Sequence, residues 1–204
     1  MIIIVDIGMG NIGSILNMIK CLNFSAKVSR SIDDIQSAEK IILPGVGSFD
    51  NAIKSLKEHD LISVLNEQVI RKKKPILGIC LGIQIFSRKS EEGKEQGLGW
   101  LDAETVRFSF DREESLKVPH MGWNTALAKN NQVLFQGMGS EPKFYFVHSY
   151  HLHCNDPADI SSITHYGYEF PSSIKHDNIY GVQFHPEKSH KFGIKVFKNF
   201  LELA

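Results

Sequence analysis

The chain has 204 residues, of which 42% are hydrophobic and 23% charged, and its 23 basic and 23 acidic side chains give a formal net charge of zero. A nucleic-acid-binding protein usually carries a basic excess, so this balance argues against that class. A chain of this length can bury one sizeable core, and we expect a single domain over residues 1–204.

The three cysteines, Cys21, Cys80 and Cys154, are an odd number and lack the spacing of a disulfide framework. Such cysteine usage favours a reducing cytosol. The apolar start, Met1–Val5, is far too short for a signal peptide or a membrane span, and no later stretch reaches spanning length. We therefore expect a soluble cytoplasmic protein that does not contact a membrane.

Strand and helix signals alternate through the first half of the chain. Continuous apolar runs that are rich in β-branched residues are typical of strands buried on both faces. The predicted strands are Ile2–Val5, Lys27–Ser29, Lys40–Leu43 and Pro75–Ile79, and Pro44–Gly47 is expected to form a tight loop. The predicted helices run from a Ser14 cap to Cys21, from an Asp50 cap to Glu58, from Leu61 to Lys72, and from Cys80 to Phe86. This alternation predicts a parallel sheet with helices on both faces.

The second half instead contains several strand signals in succession. These are Ala103–Phe108, Lys117–Val118, Asn124–Ala126, Phe144–Ser149, Ile160–His165 and Ile179–Phe184, followed by an amphipathic helix over Lys191–Leu203. No linker rich in Pro, Gly or Ser separates the halves. The prediction is an α/β fold with a mixed, mainly parallel sheet flanked by helices.

A candidate nucleophile lies in Gly78–Gly82, between a predicted strand and a predicted helix. Cys80 at the centre of such a sharp turn would project its side chain from the strand's carboxyl end, and the flanking glycines avoid clashes. The Leu81 amide can donate to an oxyanion there. The alternative is a buried structural cysteine beside packing glycines. We interpret Cys21 and Cys154 as ordinary packing or surface residues.

A nucleophilic thiol needs a base, and the base needs a group that orients it. His185 directly follows an apolar strand, and Glu187 can reach back to its ring. The alternative is a capping histidine beside a surface glutamate. An extended segment would also place His151 and His153 on one face, which can suggest a metal site. No cluster of cysteines or carboxylates accompanies them, so we predict neither a metal nor a cofactor.

Together these segments resemble the class I glutamine amidotransferases, and within them the glutaminase subunits of imidazole glycerol phosphate synthase. The resemblance covers nearly the whole chain and implies a flavodoxin-like fold. It is carried by seven segments in order: Asp6–Asn11, Leu43–Gly47, Gly78–Gln84, Gly97–Gly99, Pro119–Asn124, Phe146–Tyr150 and Gln183–Ser189.

The resemblance implies that the substrate is glutamine and that hydrolysis proceeds through a glutamyl thioester. The implied catalytic residues are Cys80 as nucleophile, His185 as proton shuttle and Glu187 as the group that orients His185. The implied oxyanion hole comprises Val46, Gly47 and Leu81. The implied substrate-binding residues are Gln84, Glu92, Ser149 and Tyr150.

The resemblance also implies a heterodimer, because ammonia released into water would be lost as ammonium. The partner would be a cyclase of (β/α)₈-barrel type in histidine biosynthesis, and Asn11, Trp123 and Lys188 occupy positions near that interface. Ile7 departs from the tyrosine that is usual in the family.

Three alternatives remain open. Gly10–Ser14 and Ser189–Gly193 also resemble paralogous subunits that supply ammonia for surface-polysaccharide or nucleotide sugars. A stand-alone Cys-His hydrolase would act without a partner. A catalytically silent binding module is disfavoured, because Cys80, His185 and Glu187 are all present.

Overall fold

The computed structural model describes residues 1–110, 116–129 and 132–204. In the first half, the strands are β1 (Ile2–Val5), β2 (Ala26–Ser29), β3 (Lys40–Gly45) and β4 (Ile76–Cys80). The helices are α1 (Ile12–Cys21), α2 (Ile32–Ser37), α3 (Phe49–Glu58), α4 (Leu61–Leu65) and α5 (Leu81–Gln84), and a π-helical segment spans Asn66–Arg71.

The second half is dominated by strands. These are β5 (Ala103–Arg107), β6 (His120–Thr125), β7 (Leu127–Ala128), β8 (Lys143–His148), β9 (Tyr150–Cys154), β10 (Ile160–Tyr166), β11 (Tyr168–His176) and β12 (Ile179–Val182). Short 3₁₀ segments lie at Val133–Phe135, Pro157–Asp159 and Pro186–Lys188, and helix α6 (His190–Leu203) follows.

One eight-stranded sheet in the order β2-β1-β3-β4-β12-β11-β10-β7 organises these elements. The strands from β2 to β12 in that order run parallel, and β11, β10 and β7 continue the sheet in antiparallel fashion. Two further pairs, β5 with β9 and β6 with β8, form small separate sheets. The prediction of a mixed, mainly parallel sheet is therefore confirmed.

Alternate residues of each parallel strand enter one of two cores, because successive side chains of a strand point to opposite faces. On β1, Ile2 and Ile4 pack in the core that contains residues of α1 and α6. Ile3 and Val5 pack in the core that contains residues of α2, α3 and α4. Both faces are thus covered, which is the requirement for a parallel sheet.

A lysine fixes the far end of α6 to the sheet. The Nζ atom of Lys40, the first residue of β3, donates to the carbonyl oxygens of Phe200, Leu201 and Ala204 at 2.9, 2.9 and 2.7 Å. The last carbonyls of a helix have no partners within the helix and carry partial negative charge. Lys40 satisfies them, and burial lowers its pKa.

Several predicted boundaries were wrong because side chains took other partners. Helix α1 begins at Ile12, and the Ser14 hydroxyl donates to the Asn11 side chain at 2.9 Å instead of capping the helix. Helix α3 begins at Phe49, and the Asp50 carboxylate accepts from the backbone N–H groups of Lys94 and Glu95.

Other segments differ from the prediction in their length or type of secondary structure. Pro44 and Gly45 extend β3 by pairing with Ile79 and Cys80, so only the residues after them form the loop. Lys117–Val118 is not a strand, and the Lys117 carbonyl accepts from the Tyr166 hydroxyl at 2.8 Å. The helix predicted from Leu61 becomes π-helical after Leu65, and the helix after Cys80 ends at Gln84.

Helix α2 and strand β11 are among the elements that the sequence analysis did not predict. Helix α2 is short and buries a single residue, Ile35, so it has no amphipathic repeat. Strand β11 contains Pro171, which argues against a strand from sequence, yet Pro171 pairs with Ile163 beside a register shift in β10. Within the described ranges, no helix has the length and apolar character needed to cross a membrane.

Gly82→Ala should destabilise the protein, because the added methyl group would overlap the backbone carbonyl of Leu43. Such overpacking costs about 1–3 kcal/mol, so we expect a clearly lower free energy of unfolding in urea titrations. The control is Gly13→Ala, which places a methyl group in open space on α1. The control should raise stability by about 0.5–1 kcal/mol. Equal stability of the two variants would contradict the close packing of α5 on β3.

Candidate active site

The parallel pairing of β4 with β12 brings the predicted nucleophile and base to one edge of the sheet. The register runs from Ile76 opposite Ile179 to Ile79 opposite Val182. Cys80 ends β4, and His185 follows shortly after β12. The carboxyl ends of parallel strands are the usual position of binding sites in α/β proteins.

Cys80 lies on a strained turn. It is a non-glycine residue with φ of +55° and ψ of −108°, and it is 7% exposed. Such a backbone conformation costs about 1–3 kcal/mol and is tolerated where the surrounding structure enforces it. Here Gly82 allows α5 to approach the backbone of β3. This geometry is that of a strand-to-helix nucleophile elbow.

His185 and Glu187 form a buried pair. The imidazole Nδ1 atom lies 2.8 Å from the Glu187 Oε1 atom, and both side chains are 2% exposed. Accordingly Nδ1 carries a proton, and Nε2 is the atom left for proton transfer. Neither Nε2 nor Glu187 Oε2 has a hydrogen-bond partner among the described residues.

The charge state of His185 reflects opposing effects. Its burial opposes protonation, but the negative charge of a Cys80 thiolate and, next, the Glu187 carboxylate outweigh burial and raise the pKa of His185 to about 10. A protonated imidazole beside a sulfur nucleophile favours the thiolate form of that nucleophile. The pair can therefore supply both an activated sulfur and a proton donor.

A cavity of about 320 Å³ opens directly onto Cys80 and His185. It brings together all three predicted oxyanion-hole residues and all four predicted substrate-binding residues, while Glu187 lies behind His185. The lining residues are Val46, Gly47, Cys80, Leu81, Gln84, Glu92, Pro119, Val147, His148, Ser149, Tyr150 and His185. A larger cavity, about 440 Å³, lies between Ala128 and Pro142 and contains neither member of the Cys80–His185 pair.

The residues predicted for the oxyanion hole directly follow the ends of two neighbouring strands, β3 and β4. Leu81 follows Cys80 at the start of α5, and Val46 and Gly47 follow the end of β3, where Gly45 pairs with Cys80. Gly47 has φ of +101°, a conformation that favours glycine, and Val46 is 41% exposed.

The predicted substrate-binding residues are held by contacts of their own. Gln84 donates from Nε2 to the Tyr150 carbonyl at 2.8 Å. Glu92 accepts from the Phe49 amide at 2.7 Å and so caps α3. Ser149 lies between β8 and β9, and its carbonyl accepts from the Phe108 amide at 3.1 Å.

The residues predicted for a partner interface are accessible. Trp123 on β6 is 49% exposed and stacks on His190, with ring centroids 5.2 Å apart and an interplanar angle of 2°. The Nζ atom of Lys188 lies 5.5 Å from the centroid of the Tyr145 ring. Asn11 is half-buried at the start of α1.

A sequence profile of the family described as glutamine amidotransferase class-I matches residues 3–203. The chain belongs to this family. A Pseudomonas aeruginosa protein named imidazole glycerol phosphate synthase subunit HisH 2 is 50% identical over 100% of both chains. The HisH subunit of Leptospira borgpetersenii is 43% identical, and HisH 1 of Campylobacter jejuni is 44% identical, each over 100% of both chains.

Solved structures share the fold of this amidotransferase. A protein described as a glutamine amidotransferase superposes with a TM-score of 0.76 at 19% identity, covering 99% of this chain and 97% of that one. PurLQS from Thermotoga maritima gives 0.73 at 19% identity, with 98% and 96% covered. The predicted fold family is confirmed.

Two buried histidines of the amidotransferase, His120 and His148, differ from His185 and form hydrogen bonds as neutral rings. His148 places Nδ1 2.8 Å from the Tyr150 carbonyl, and His120 places Nδ1 3.1 Å from His148 Nε2. Burial lowers the pKa of His148 and lowers that of His120 to about 4. His151 is buried against Tyr168, whereas His153 is exposed. Among residues 1–110, 116–129 and 132–204, no group of three or more His, Cys, Asp or Glu side chains is placed to hold a metal ion.

Two residues beside the site escaped the sequence analysis. Gln183 places its side-chain nitrogen 3.8 Å from the Cys80 sulfur, and His190 stacks on Trp123. The signal for Gln183 was its position two residues before His185 in an extended segment, which puts both side chains on one face. The contact of His190 depends on a positive φ of 46°, which sequence does not reveal.

Cys80→Ala should lower the pKa of His185. Burial opposes protonation of His185, and two negative charges, on Cys80 and Glu187, favour it. The substitution removes the first of these charges. In a ¹⁵N NMR titration, the His185 midpoint should move down from about 10 toward neutral pH. The control is Cys154→Ala, because burial raises the pKa of Cys154 to about 12 and that thiol is uncharged. An unchanged His185 midpoint in Cys80→Ala would show that Cys80 does not set its protonation.

Proposed function

We propose that this amidotransferase is the glutaminase subunit of imidazole glycerol phosphate synthase. It hydrolyses glutamine and passes ammonia to a cyclase subunit of (β/α)₈-barrel type in histidine biosynthesis. The observation that carries the proposal is the meeting of Cys80 with the His185–Glu187 pair at the mouth of one cavity. Relatives that bear the HisH name match the whole chain, which supports the choice of synthase.

The proposed reaction has two halves. The Cys80 sulfur attacks the side-chain amide carbon of glutamine, and the C–N bond breaks as protonated His185 gives its proton to the departing nitrogen. Ammonia leaves and a glutamyl thioester remains. His185 then takes a proton from water, the resulting hydroxide attacks the thioester carbon, and glutamate and the thiolate are released.

Backbone amides would stabilise the oxyanion of both tetrahedral intermediates. Leu81 begins a helix directly beside the sulfur, and its amide is the first proposed donor. The second belongs to the Val46–Gly47 segment across the same cavity. The glycine conformation of Gly47 allows this peptide to rotate, which offers a means of switching the site on.

Substrate recognition would use the free polar atoms of the cavity. Both amide protons of Gln84 are already donated, to the Tyr150 carbonyl and to Gln183 Oε1. Gln84 therefore has its own Oε1 to offer, which can accept from an N–H group of glutamine. The Glu92 carboxylate suits the substrate ammonium, and the Ser149–Tyr150 segment suits its α-carboxylate.

The partner would cover the surface formed by Met121, Trp123, Tyr145, Lys188 and His190, which we call the Trp123 patch. Met121 is 62% exposed and Trp123 is 49% exposed, and aromatic residues of this kind commonly anchor interfaces. The patch is linked to the base, because the His185 amide donates to the Tyr145 carbonyl at 2.8 Å. Asn11 is the third proposed interface residue.

We further propose that residues 1–204 form a single glutaminase domain that acts in the cytoplasm. One sheet takes strands from both halves of the chain, which supports the single domain. The three cysteines, all within the described residues, are free thiols, which suits a reducing compartment.

The proposal is tested by measuring glutamine hydrolysis with the chain alone and with each barrel-type cyclase homologue of its own genome. Low activity alone that rises with the histidine-pathway cyclase and its nucleotide substrate is the expected result. Activation only by a cyclase homologue encoded among surface-sugar genes would assign the chain to the paralogous subunits. Full activity without any partner would overturn the proposal.

Cys80→Ala should abolish glutamine-dependent synthesis by the complex, by at least about 1000-fold, because it removes the nucleophile. Synthesis with added ammonium should stay near the wild-type rate, since ammonia then reaches the cyclase without glutamine hydrolysis. Cys21→Ala, which changes an exposed thiol, is the control for both nitrogen sources. Equal loss with glutamine and ammonium would refute this division of labour.

Trp123→Ala should weaken binding of the cyclase by about tenfold or more, because an exposed aromatic anchor would be lost. Isothermal titration calorimetry with the purified subunits measures this change. Ile70→Ala is the matched control. Ile70 is also exposed, at 37%, but it lies before the amino end of β4, whereas the site lies at the carboxyl end of that strand. Similar affinities for both variants would place the interface elsewhere.

A further inference from the structure

We infer that Gln183 is a further catalytic residue, whose side-chain amide donates a hydrogen bond to the Cys80 sulfur and is held in that orientation by Gln84. The inference rests on the proposed function, in which Cys80 is the nucleophile. It assigns a role to a residue outside the Cys80, His185 and Glu187 triad.

The contacts fix which end of the Gln183 amide faces the sulfur. Gln183 Nε2 lies 3.8 Å from Cys80 Sγ, and Gln183 Oε1 accepts from Gln84 Nε2 at 3.1 Å. Both glutamines are buried, with exposures of 1% and 5%. If the Gln183 amide flipped, its NH₂ group would face the NH₂ group of Gln84, which leaves two buried donors unpaired. The oxygen toward Gln84 and the nitrogen toward sulfur are therefore the stable arrangement.

Gln84 is itself oriented from behind. Its Nε2 atom also donates to the Tyr150 carbonyl at 2.8 Å, so its nitrogen rather than its oxygen faces Gln183. The same carbonyl accepts from His148 Nδ1 at 2.8 Å. His148 Nε2 in turn accepts from His120 Nδ1, and His120 Nε2 lies 3.2 Å from Asn124 Nδ2. This chain of neutral groups holds the Tyr150 carbonyl in place, which makes Gln84 a positioning residue.

A donor at the sulfur assists both halves of the reaction. The N–H dipole stabilises negative charge on Sγ when the thiolate attacks and again when sulfur departs from the thioester. His185 is the titratable group that faces Cys80, with Glu187 behind it, and Glu92, His148 and Tyr150 line the same cavity. Gln183 adds a donor that does not give up its proton, so it stabilises the charge throughout the cycle.

The test compares Gln183→Met with the wild type, because methionine keeps the length of the side chain and removes the donor. Alkylation of Cys80 by iodoacetamide is measured from pH 5 to 9 in the free protein. Glutamine kcat and KM are measured in the cyclase complex. We expect alkylation about tenfold slower at pH 7, a pH–rate curve moved to higher pH, and kcat reduced about tenfold, with KM changed less than about twofold.

Two further variants separate a catalytic role from a structural one. Gln68→Met is the matched control, because Gln68 is fully buried in the π-helical segment and its amide has no hydrogen-bond partner in the described part of the chain. It should leave alkylation unchanged. Gln84→Met keeps Gln183 but releases its orientation, and should slow alkylation about threefold although residue 84 does not donate to the sulfur. If Gln183→Met fails to fold, Gln84→Met still tests the inference.

The outcomes are distinct. Wild-type alkylation and an unmoved pH curve in folded Gln183→Met would overturn the inference, and wild-type alkylation in Gln84→Met would overturn its orienting step. Slowed alkylation with the expected loss of kcat supports it. An absence of glutaminase activity in the wild type with every partner would refute the proposed function. Alkylation needs no glutamine, so its rates would still test the contact between Gln183 and the Cys80 sulfur.

Discussion

The site depends on one backbone constraint, the parallel pairing of β4 with β12. This pairing joins segments that are far apart in sequence, and its register ends at Ile79 and Val182. A shift by one residue would turn the side chains of β12 to the opposite face. The hydrophobic residues that fix this register, such as Ile76 and Ile179, are therefore as necessary for placing His185 beside Cys80 as the catalytic residues themselves.

The parallel half of the fold and the meeting of Cys80 with His185 could be predicted because each depended on local patterns. Apolar runs marked the strands, and both residues followed such runs directly. What sequence could not give were contacts chosen by tertiary structure. Pro171 concealed β11, the Asp50 carboxylate accepts from a loop far along the chain, and the Gln183 amide lies between Gln84 and the Cys80 sulfur. These depend on side-chain positions that no short repeat encodes.

The site contains both polar groups that have hydrogen-bond partners within the protein and polar groups that have none among the described residues. Gln84 and Gln183 use their amide groups within the protein, and the neutral histidines behind Tyr150 do the same. His185 Nε2 and Glu187 Oε2, in contrast, are buried without a partner among the described residues. Buried polar atoms left unpaired destabilise the fold. Two buried polar atoms without a partner and the strained Cys80 backbone thus lie together where the reacting atoms would bind.

Helix α6 is held at both ends, and this has a mechanical consequence. At its start, the Ser189 hydroxyl donates to the His185 carbonyl at 2.6 Å and accepts from the Tyr145 amide at 3.0 Å. At its end, Lys40 holds the last carbonyls. Helix α6 is thereby tethered at its start to the segment beside the Trp123 patch and at its end to β3, the strand that leads into Val46 and Gly47 on the other side of the cavity.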